Sequence, residues 1–464
     1  MNSFTKKIAP FYKEISLCST MLIALLSWLR LYLNEFQLPL FTYRYSTNWG
    51  VFLYVVFVVV LGFQFWSLFK VIYSEDKLSL SFYSKLIFLS CLQIPFLSND
   101  IFSYFYYGAI AKSGANPSLL ASLQPNFFSQ FVDPIYKQTI SMYGSVSIAL
   151  FKGVLAFSSD GIVSVLMIYR LGQLLLIALL FYVIKKGNFE NQHGLKMCLY
   201  NPVFITLCIG QYHIEWLGYI LVLLGVLFYL KEKLVWAILL IFLAVFVKFS
   251  FLFFLWLPFV LFLKKKNFIS MGMGLILSAI SVYFINLYAE VSFVDFVSSM
   301  NHLQKLRPSG TWHDIATFII SLLSNSSSTD ANVAVSIYTQ YSIYFKIISI
   351  SFFLIMLGIS SKCKKLNTYE FLTITLFCLL VWISNRVFSW YFILILPIFL
   401  LKGNKSKYLI NWLFISSFFY ILSEASLIVP QKSIADILVV VFMLFAISYG
   451  FYSYFKVLLW YKKS

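Results

Sequence analysis

Three ionisable residues stand at the ends of long apolar segments. Asp100 directly follows one apolar run, Lys248 ends another, and Arg386 immediately precedes a third. A carboxylate can accept the proton of an attacking hydroxyl, and basic side chains stabilise a phosphate that leaves. We therefore predict that Asp100 is a general base and that Lys248 and Arg386 bind a phosphate group.

Ordinary structural roles remain open for the same residues. Asp100 also suits the N-cap of a helix, because Asp and Asn are favoured at that position. Lys248 and Arg386 also fit the common pattern of basic side chains that extend from helix ends to lipid headgroups. Arg170 lies deep inside an apolar run, and we expect a structural partner for it in the protein interior rather than a catalytic role.

Histidine and acidic residues give no metal-ligand pattern. His213 and Glu215 are two positions apart and would not share a helix face, while His313 and Asp314 are adjacent. Hydrogen bonding to a ligand or to loop backbone explains these residues more simply. We predict that the site uses no metal and no cofactor.

Composition indicates the kind of protein that holds these residues. Of 464 residues, 61% are hydrophobic and 20% aromatic, and only 11% are charged. A water-soluble domain is about one quarter charged, so most of this surface must face lipid. The net charge of +18 is concentrated in short loops between apolar runs, which is typical of cytoplasmic loops and not of a nucleic-acid interface. The sequence predicts an all-α polytopic membrane protein that binds no nucleic acid.

Charge distribution also predicts the topology. About fifteen apolar runs can be traced as candidate helices, among them 162–185, 195–211, 214–231 and 268–288. The basic loops all become cytoplasmic if the run 143–159 dips into the membrane without crossing it. We predict a single membrane domain over 1–464 with about fourteen transmembrane helices and both termini cytoplasmic. Two external loops, 98–142 and 289–336, should then contain helices that lie in the headgroup layer.

Several motifs carry a family resemblance. "SNDIFSYFYYG", "GANPSLL" and "YGS" are followed by "YNPVFITLCIGQYHIEW", "LAVFVKFSF" and "SNRVFSWYF", all between about residues 95 and 400. In this order they resemble the polyprenyl-phosphate-sugar-dependent glycosyltransferases of the GT-C superfamily. The chain is most similar to bacterial α-mannosyltransferases that use polyprenyl-phosphate mannose.

The resemblance implies a GT-C-like helical bundle and an inverting transfer of a hexose, with mannose expected, at the outer face of the cell membrane. The donor would be a polyprenyl-phosphate sugar, and the acceptor would be a cell-envelope glycan or glycolipid. It also implies a sugar and acceptor pocket with the following members: Asn99, Tyr107, Asn116, Tyr143, Gln211, His213, Glu215, His313, Asp314, Trp390 and Tyr391. Membership of an aromatic belt at the membrane surface explains Trp390 and Tyr391 equally well.

This sequence departs from the family pattern at two positions. The family often has two acids where this chain has Asn99 and Asp100, which leaves one candidate base. It often has His-Asn-Asp where this chain has His213, Ile214 and Glu215, so the role of Glu215 does not transfer directly.

Two other classes of protein remain as alternatives. An O-antigen-type polymerase also acts outside on lipid-linked sugars, but it would be expected to carry more arginines in its external loops. A lipid-linked glycan flippase or other transporter would be expected to pair ionisable groups at mid-bilayer, and Arg170 has no acid at matching depth in a neighbouring run.

Overall fold

The computed structural model describes residues 3–33, 48–74, 77–95, 100–119, 124–132, 139–159, 161–248 and 267–303, with scattered positions between and beyond these ranges. Its α-helices in chain order are α1 (Ser3–Leu33), α2 (Asn48–Ser74), α3 (Leu80–Cys91), α4 (Asp100–Lys112), α5 (Ser145–Phe157), α6 (Ile162–Gly187), α7 (Gln192–Leu199), α8 (Glu215–Leu230), α9 (Leu234–Val245), α10 (Phe268–Ala289), α11 (Phe293–Leu303) and α12 (Ile398–Leu401). A 3-10 helix at Phe127–Gln130 and a π-helix at Val203–Gly210 join them.

Within the described ranges, four helices are long and apolar enough to cross a membrane. They are α1 over Ile8–Leu29, α2 over Val55–Ser74, α6 over Ile162–Gly187 and α10 over Phe268–Ala289. Large apolar side chains such as Phe63 on α2 and Leu175 on α6 point outward, as lipid-facing helices require. The chain is a helical membrane protein, and the count of about fourteen spans stays a prediction.

Helix α8 lies at the centre of the bundle. Its residues are buried on every face, and it packs against α6 and α9. A helix that is apolar all round can lie in protein or in lipid, and the burial of α8 shows that protein encloses it. Glu215 is the first residue of this helix and His213 lies two residues before it. Both therefore lie at the N-terminus of a deeply buried helix.

The run predicted as one crossing at 195–211 is divided in two, and the prediction of a single helix there is wrong. Helix α7 ends at Leu199, and the π-helix begins after Pro202. Proline has no N–H to continue a helix, and Asn201 Oδ1 accepts a hydrogen bond from the Val203 N–H at 2.9 Å. A new helix therefore begins at this point.

The first of the two loops predicted to be external also differs from its prediction. Residues 100–112 form the expected helix, α4, but its tyrosines are enclosed by protein rather than placed at a lipid headgroup layer. Tyr104, Tyr106 and Tyr107 are at most 2% exposed. The reason is that α5 packs closely along α4, where the main chain of Phe151 leaves no room for a side chain at Gly108. Helix α5 has 13 residues, or roughly 20 Å, and its dip into the membrane without crossing stays a prediction.

Candidate active site

Asp100 is the first residue of α4. A negative side chain is stabilised there by the partial positive charge of a helix N-terminus. Its side chain is 16% exposed, although the helix behind it is almost wholly buried. Asp100 is therefore held by a rigid element while its carboxylate keeps access to the space outside.

His213 lies directly beside Asp100. The distance from His213 Nδ1 to Asp100 Oδ2 is 3.5 Å, and the histidine is 1% exposed. The chain reaches this position through Tyr212, whose φ of 63° turns the backbone between the π-helix and α8. The Ile214 N–H donates to Tyr104 Oη at 3.2 Å, which joins the start of α8 to α4. Two distant parts of the sequence thus form one site.

Tyr104 belongs to the same site and was missed by the sequence analysis. Burial, and then the neighbouring Tyr143 hydroxyl and the Asp100 and Glu215 carboxylates, raise the pKa of Tyr104 well above its usual value. The phenol therefore stays protonated and neutral between the two acids. Its spacing of four residues from Asp100 puts both on one helix face, and that signal could have identified it.

Glu215 and Lys248 form a buried ion pair. Lys248 Nζ lies 2.6 Å from Glu215 Oε1, and the two side chains are 3% and 0% exposed. The ammonium also lies 5.4 Å from the ring centroid of Tyr143, a cation–π contact. Glu215 Oε2 is buried and has no hydrogen-bond partner in the part of the chain that the structure describes. Lys248 points into the protein, so the alternative of a lysine extended to the headgroups is wrong.

The main chain of the "YGS" motif packs against the main chain of the segment that carries Lys248. This contact places Tyr143 beside the ion pair. The Gly144 N–H donates to Val247 O at 3.0 Å, and Ser147 Oγ donates to the same oxygen at 2.7 Å. At Gly144 a Cβ atom would overlap the main chain of Phe246. Glycine is thus required here by the close approach of the segment that carries Lys248.

The other predicted pocket residues within the described ranges have partners of their own. Tyr107 Oη donates to Thr139 O at 2.7 Å, and Gln211 Nε2 donates to Gln93 Oε1 at 3.2 Å. Asn116 Nδ2 donates at 2.7 Å to Oδ2 of Asp295, on α11. These contacts join the two loops predicted to be external and the turn before α8. Tyr107 also lies near Asp100, because burial, then the Tyr106 hydroxyl and the Asp100 carboxylate, raise the pKa of Tyr107.

The remaining predictions lie outside the described residues. They are Asn99, His313, Asp314, Arg386, Trp390 and Tyr391. Among the residues that are described, no three His, Cys, Asp or Glu side chains stand close enough to hold a metal ion. The absence of a metal from the reaction stays a prediction.

Comparison with known proteins decides the family. A family profile described as "Alpha-(1->6)-mannopyranosyltransferase, N-terminal domain" matches residues 15–265. The chain belongs to this family. The family assignment made from the motifs is thereby confirmed. Asp100, His213, Glu215 and Lys248 all fall inside the matched range of the mannopyranosyltransferase family.

One curated relative also matches. The chain is 30% identical over 162 residues to alpha-(1->6)-mannopyranosyltransferase A of Mycobacterium tuberculosis (strain ATCC 25618 / H37Rv). The match covers 34% of this chain and 31% of that relative, so it spans about one third of either protein. No solved structure matches the chain.

Proposed function

We propose that this member of the mannopyranosyltransferase family is an inverting mannosyltransferase of the cell membrane. It transfers mannose from polyprenyl phosphate to a hydroxyl of a cell-envelope glycan or glycolipid, at the outer face. The observation that carries the proposal is the pair of contacts at the start of α8, Asp100 beside His213 and the ion pair of Glu215 with Lys248. They supply a base and a cation, the two groups that this transfer needs.

Asp100 is the general base. The acceptor hydroxyl attacks the anomeric carbon of the donor as its proton passes to the Asp100 carboxylate, and the bond from that carbon to the phosphate oxygen breaks. One displacement of this kind inverts the anomeric configuration. His213 is more deeply buried than Asp100. It therefore orients the carboxylate from behind, and the partly exposed acid meets the acceptor.

Lys248 receives the leaving phosphate. A donor phosphodiester is an anion that can replace Glu215 as the partner of the Lys248 ammonium. The phosphate gains negative charge as it leaves, so its attraction to Lys248 is greater in the transition state than in the ground state. Glu215, released from Lys248, then accepts hydrogen bonds from sugar hydroxyls, and its Oε2 has no hydrogen-bond partner among the described residues. We propose Arg386 as a second phosphate ligand.

The remaining predicted residues line the sugar and acceptor pocket in this proposal. Tyr143 lies against Lys248 and suits the face of the sugar, while Tyr104 offers a neutral hydroxyl between the two acids. Neither a metal nor a cofactor has a role, because the charge that develops on the phosphate is met by basic side chains.

Asp100→Asn tests the proposal. The amide keeps the size of the side chain but cannot take up the hydroxyl proton, so turnover should fall at least about 100-fold. Donor affinity should stay close to that of the parent, because Asp100 does not bind the phosphate. The measurement is release of polyprenyl phosphate from polyprenyl-phosphate mannose by the purified full chain in detergent, with octyl α-mannoside as acceptor.

Glu190→Gln is the matched control, since Glu190 is an exposed carboxylate near the start of α7. It should turn over like the parent. Turnover of Asp100→Asn within a few-fold of the parent would transfer the base role to Glu215 or Asp314. A parent that never releases polyprenyl phosphate would contradict the transferase and favour the flippase alternative.

A further inference from the structure

Arg170 lies about one third of the way along α6, one of the candidate membrane spans, and is only 8% exposed. A charged side chain at such a depth is costly unless it is well bound, and it commonly marks a functional element. No carboxylate is among its hydrogen-bond partners in the described part of the chain. Arg170 is bound by main-chain carbonyls, by one amide side chain and by an aromatic ring.

The guanidinium binds the end of the π-helix. Arg170 Nη1 donates to Ile209 O, and Nη2 donates to Gly210 O at 3.4 Å. These are the last carbonyls of the π-helix, where a helix end carries partial negative charge and needs donors. The guanidinium carbon also lies 3.7 Å from the ring centroid of Tyr212, the residue with positive φ that leads to His213.

The same guanidinium binds the chain that leads to Asp100. Arg170 Nη2 donates to Gln93 O at 3.2 Å, seven positions before Asp100. Trp28 Nε1 on α1 donates to Leu92 O at 2.8 Å, and Ser27 Oγ accepts from the Ile94 N–H at 3.2 Å. This short segment is therefore fixed by α1 on its flanking residues and by Arg170 at its centre.

Arg170 thus connects the two backbones that carry the catalytic pair. Residues 92–95 lead to Asp100, and residues 209–212 lead to His213. The contact between Gln211 and Gln93 joins the same two segments. Gln173, one turn along α6, accepts from Arg170 Nη1 at 2.6 Å and holds the guanidinium in this orientation.

We propose that Arg170 is a positioning residue that sets the geometry between Asp100 and His213. It touches neither substrate, and it acts by fixing two main-chain segments relative to each other. This inference rests on the proposed function, because it assigns Arg170 to the catalytic step. Its effect should therefore appear in turnover and not in donor binding.

Arg170→Lys is the decisive variant. It keeps the positive charge, but a single ammonium cannot reproduce the planar donor set that reaches both backbones. A displacement of the base by about 1 Å is enough to reduce kcat, and we expect a fall of about 10- to 100-fold. The donor KM should stay within about threefold of the parent.

Hydrogen exchange of the same purified variant gives a measurement independent of activity. Amides of Gln93, Ile94 and residues 211–214 should exchange faster in Arg170→Lys, while those in the interior of α8 stay protected. Lys186→Gln is the matched control, because Lys186 lies on the same helix and contacts only the ring of Tyr182 among its described contacts. It should match the parent in kcat and in exchange.

Three results would overturn the inference: a parental kcat in folded Arg170→Lys, unchanged exchange at both segments, or faster exchange throughout the bundle. The last result would make Arg170 a stabiliser of the fold and nothing more. A parent without transferase activity contradicts the proposed function instead, whereas an active parent with an unaffected Arg170→Lys contradicts only this inference. Arg170→Gln serves as a second variant if the lysine variant does not fold.

Discussion

Two buried cations hold different regions of the site, and their partners differ in kind. Arg170 binds main-chain carbonyls, the Gln173 amide and the face of Tyr212. Lys248 binds the carboxylate of Glu215 and approaches the ring of Tyr143. Carbonyls cannot leave their positions without unfolding the backbone, but a carboxylate side chain can be replaced by another anion.

The difference separates a fixed cation from an exchangeable one. Arginine has a rigid, planar set of donors that suits several acceptors at once, whereas lysine is a flexible point charge. The region around Arg170 is therefore built to keep its geometry through the reaction. In the proposed mechanism, the region around Lys248 changes its ionic partner when the donor phosphate binds.

The largest effect that tests this difference should come from Lys248→Met. Removing the ammonium leaves Glu215 buried without its cation, which should lower the free energy of unfolding by about 3–5 kcal/mol. Adding Glu215→Gln should recover most of the loss, because an uncharged pair needs no cation. Unfolding in mild detergent, followed by tryptophan fluorescence, measures both variants.

The matched comparison is Arg170→Met with and without Glu215→Gln. Arg170 has no contact with Glu215 among its hydrogen bonds, so these two changes should add within about 0.5 kcal/mol. If Glu215→Gln rescued both cation variants equally, the distinction between the two regions would fail.

A smaller effect is expected from Gly144→Ala. The new methyl group would overlap the main chain of Phe246 and displace the segment that carries Lys248, at a cost of about 1–3 kcal/mol in the free energy of unfolding. Gly172→Ala on α6 is the control, since a Cβ there meets nothing within 4 Å. That helical position should be neutral or gain up to about 1 kcal/mol. Equal free energies of unfolding for the two variants would show that the protein is packed no more closely around Gly144 than around Gly172.

The smallest effect is expected from Asp295, a partly exposed carboxylate in the first turn of α11. Burial alone would raise its pKa, but hydrogen bonds from Ser292 and Asn116 outweigh burial and lower it. A lowered pKa means that Asp295 stabilises the fold above its unfolded pKa of about 3.9 and that this contribution is lost as pH falls through the lower folded value. The decline of Tm between pH 5 and pH 3 should therefore be shallower in Asp295→Asn. A parental slope would contradict the contact with Asn116.

Much of the helical framework could be predicted from the sequence. The apolar runs at 162–185, 214–231 and 268–288 agree with α6, α8 and α10 within a few residues, because long apolar segments have few alternatives to a helix. The break at Pro202 was missed although proline marks it. Hydrophobicity hides such a break when both sides are equally apolar.

The residues of the candidate site could be selected from the sequence, but the contacts between them could not. Asp100, His213, Glu215 and Lys248 were all selected, but the sequence gives no sign that Asp100 meets His213 or that Lys248 meets Glu215. Such contacts join residues 113 and 33 positions apart and depend on how helices pack. Arg170 was expected to have a structural partner. Its partners include main-chain carbonyls, which every residue has, so no sequence pattern indicates which of them it binds.

The π-helix before α8 sets the register of His213 relative to Asp100. Each residue of an α-helix turns the chain by about 100°, so losing one residue between Val203 and Gly210 would rotate everything that follows by about that angle. Without compensation, His213 would then face away from Asp100. An alignment gap of one residue in this stretch should therefore mark family members whose acid is oriented by a different side chain.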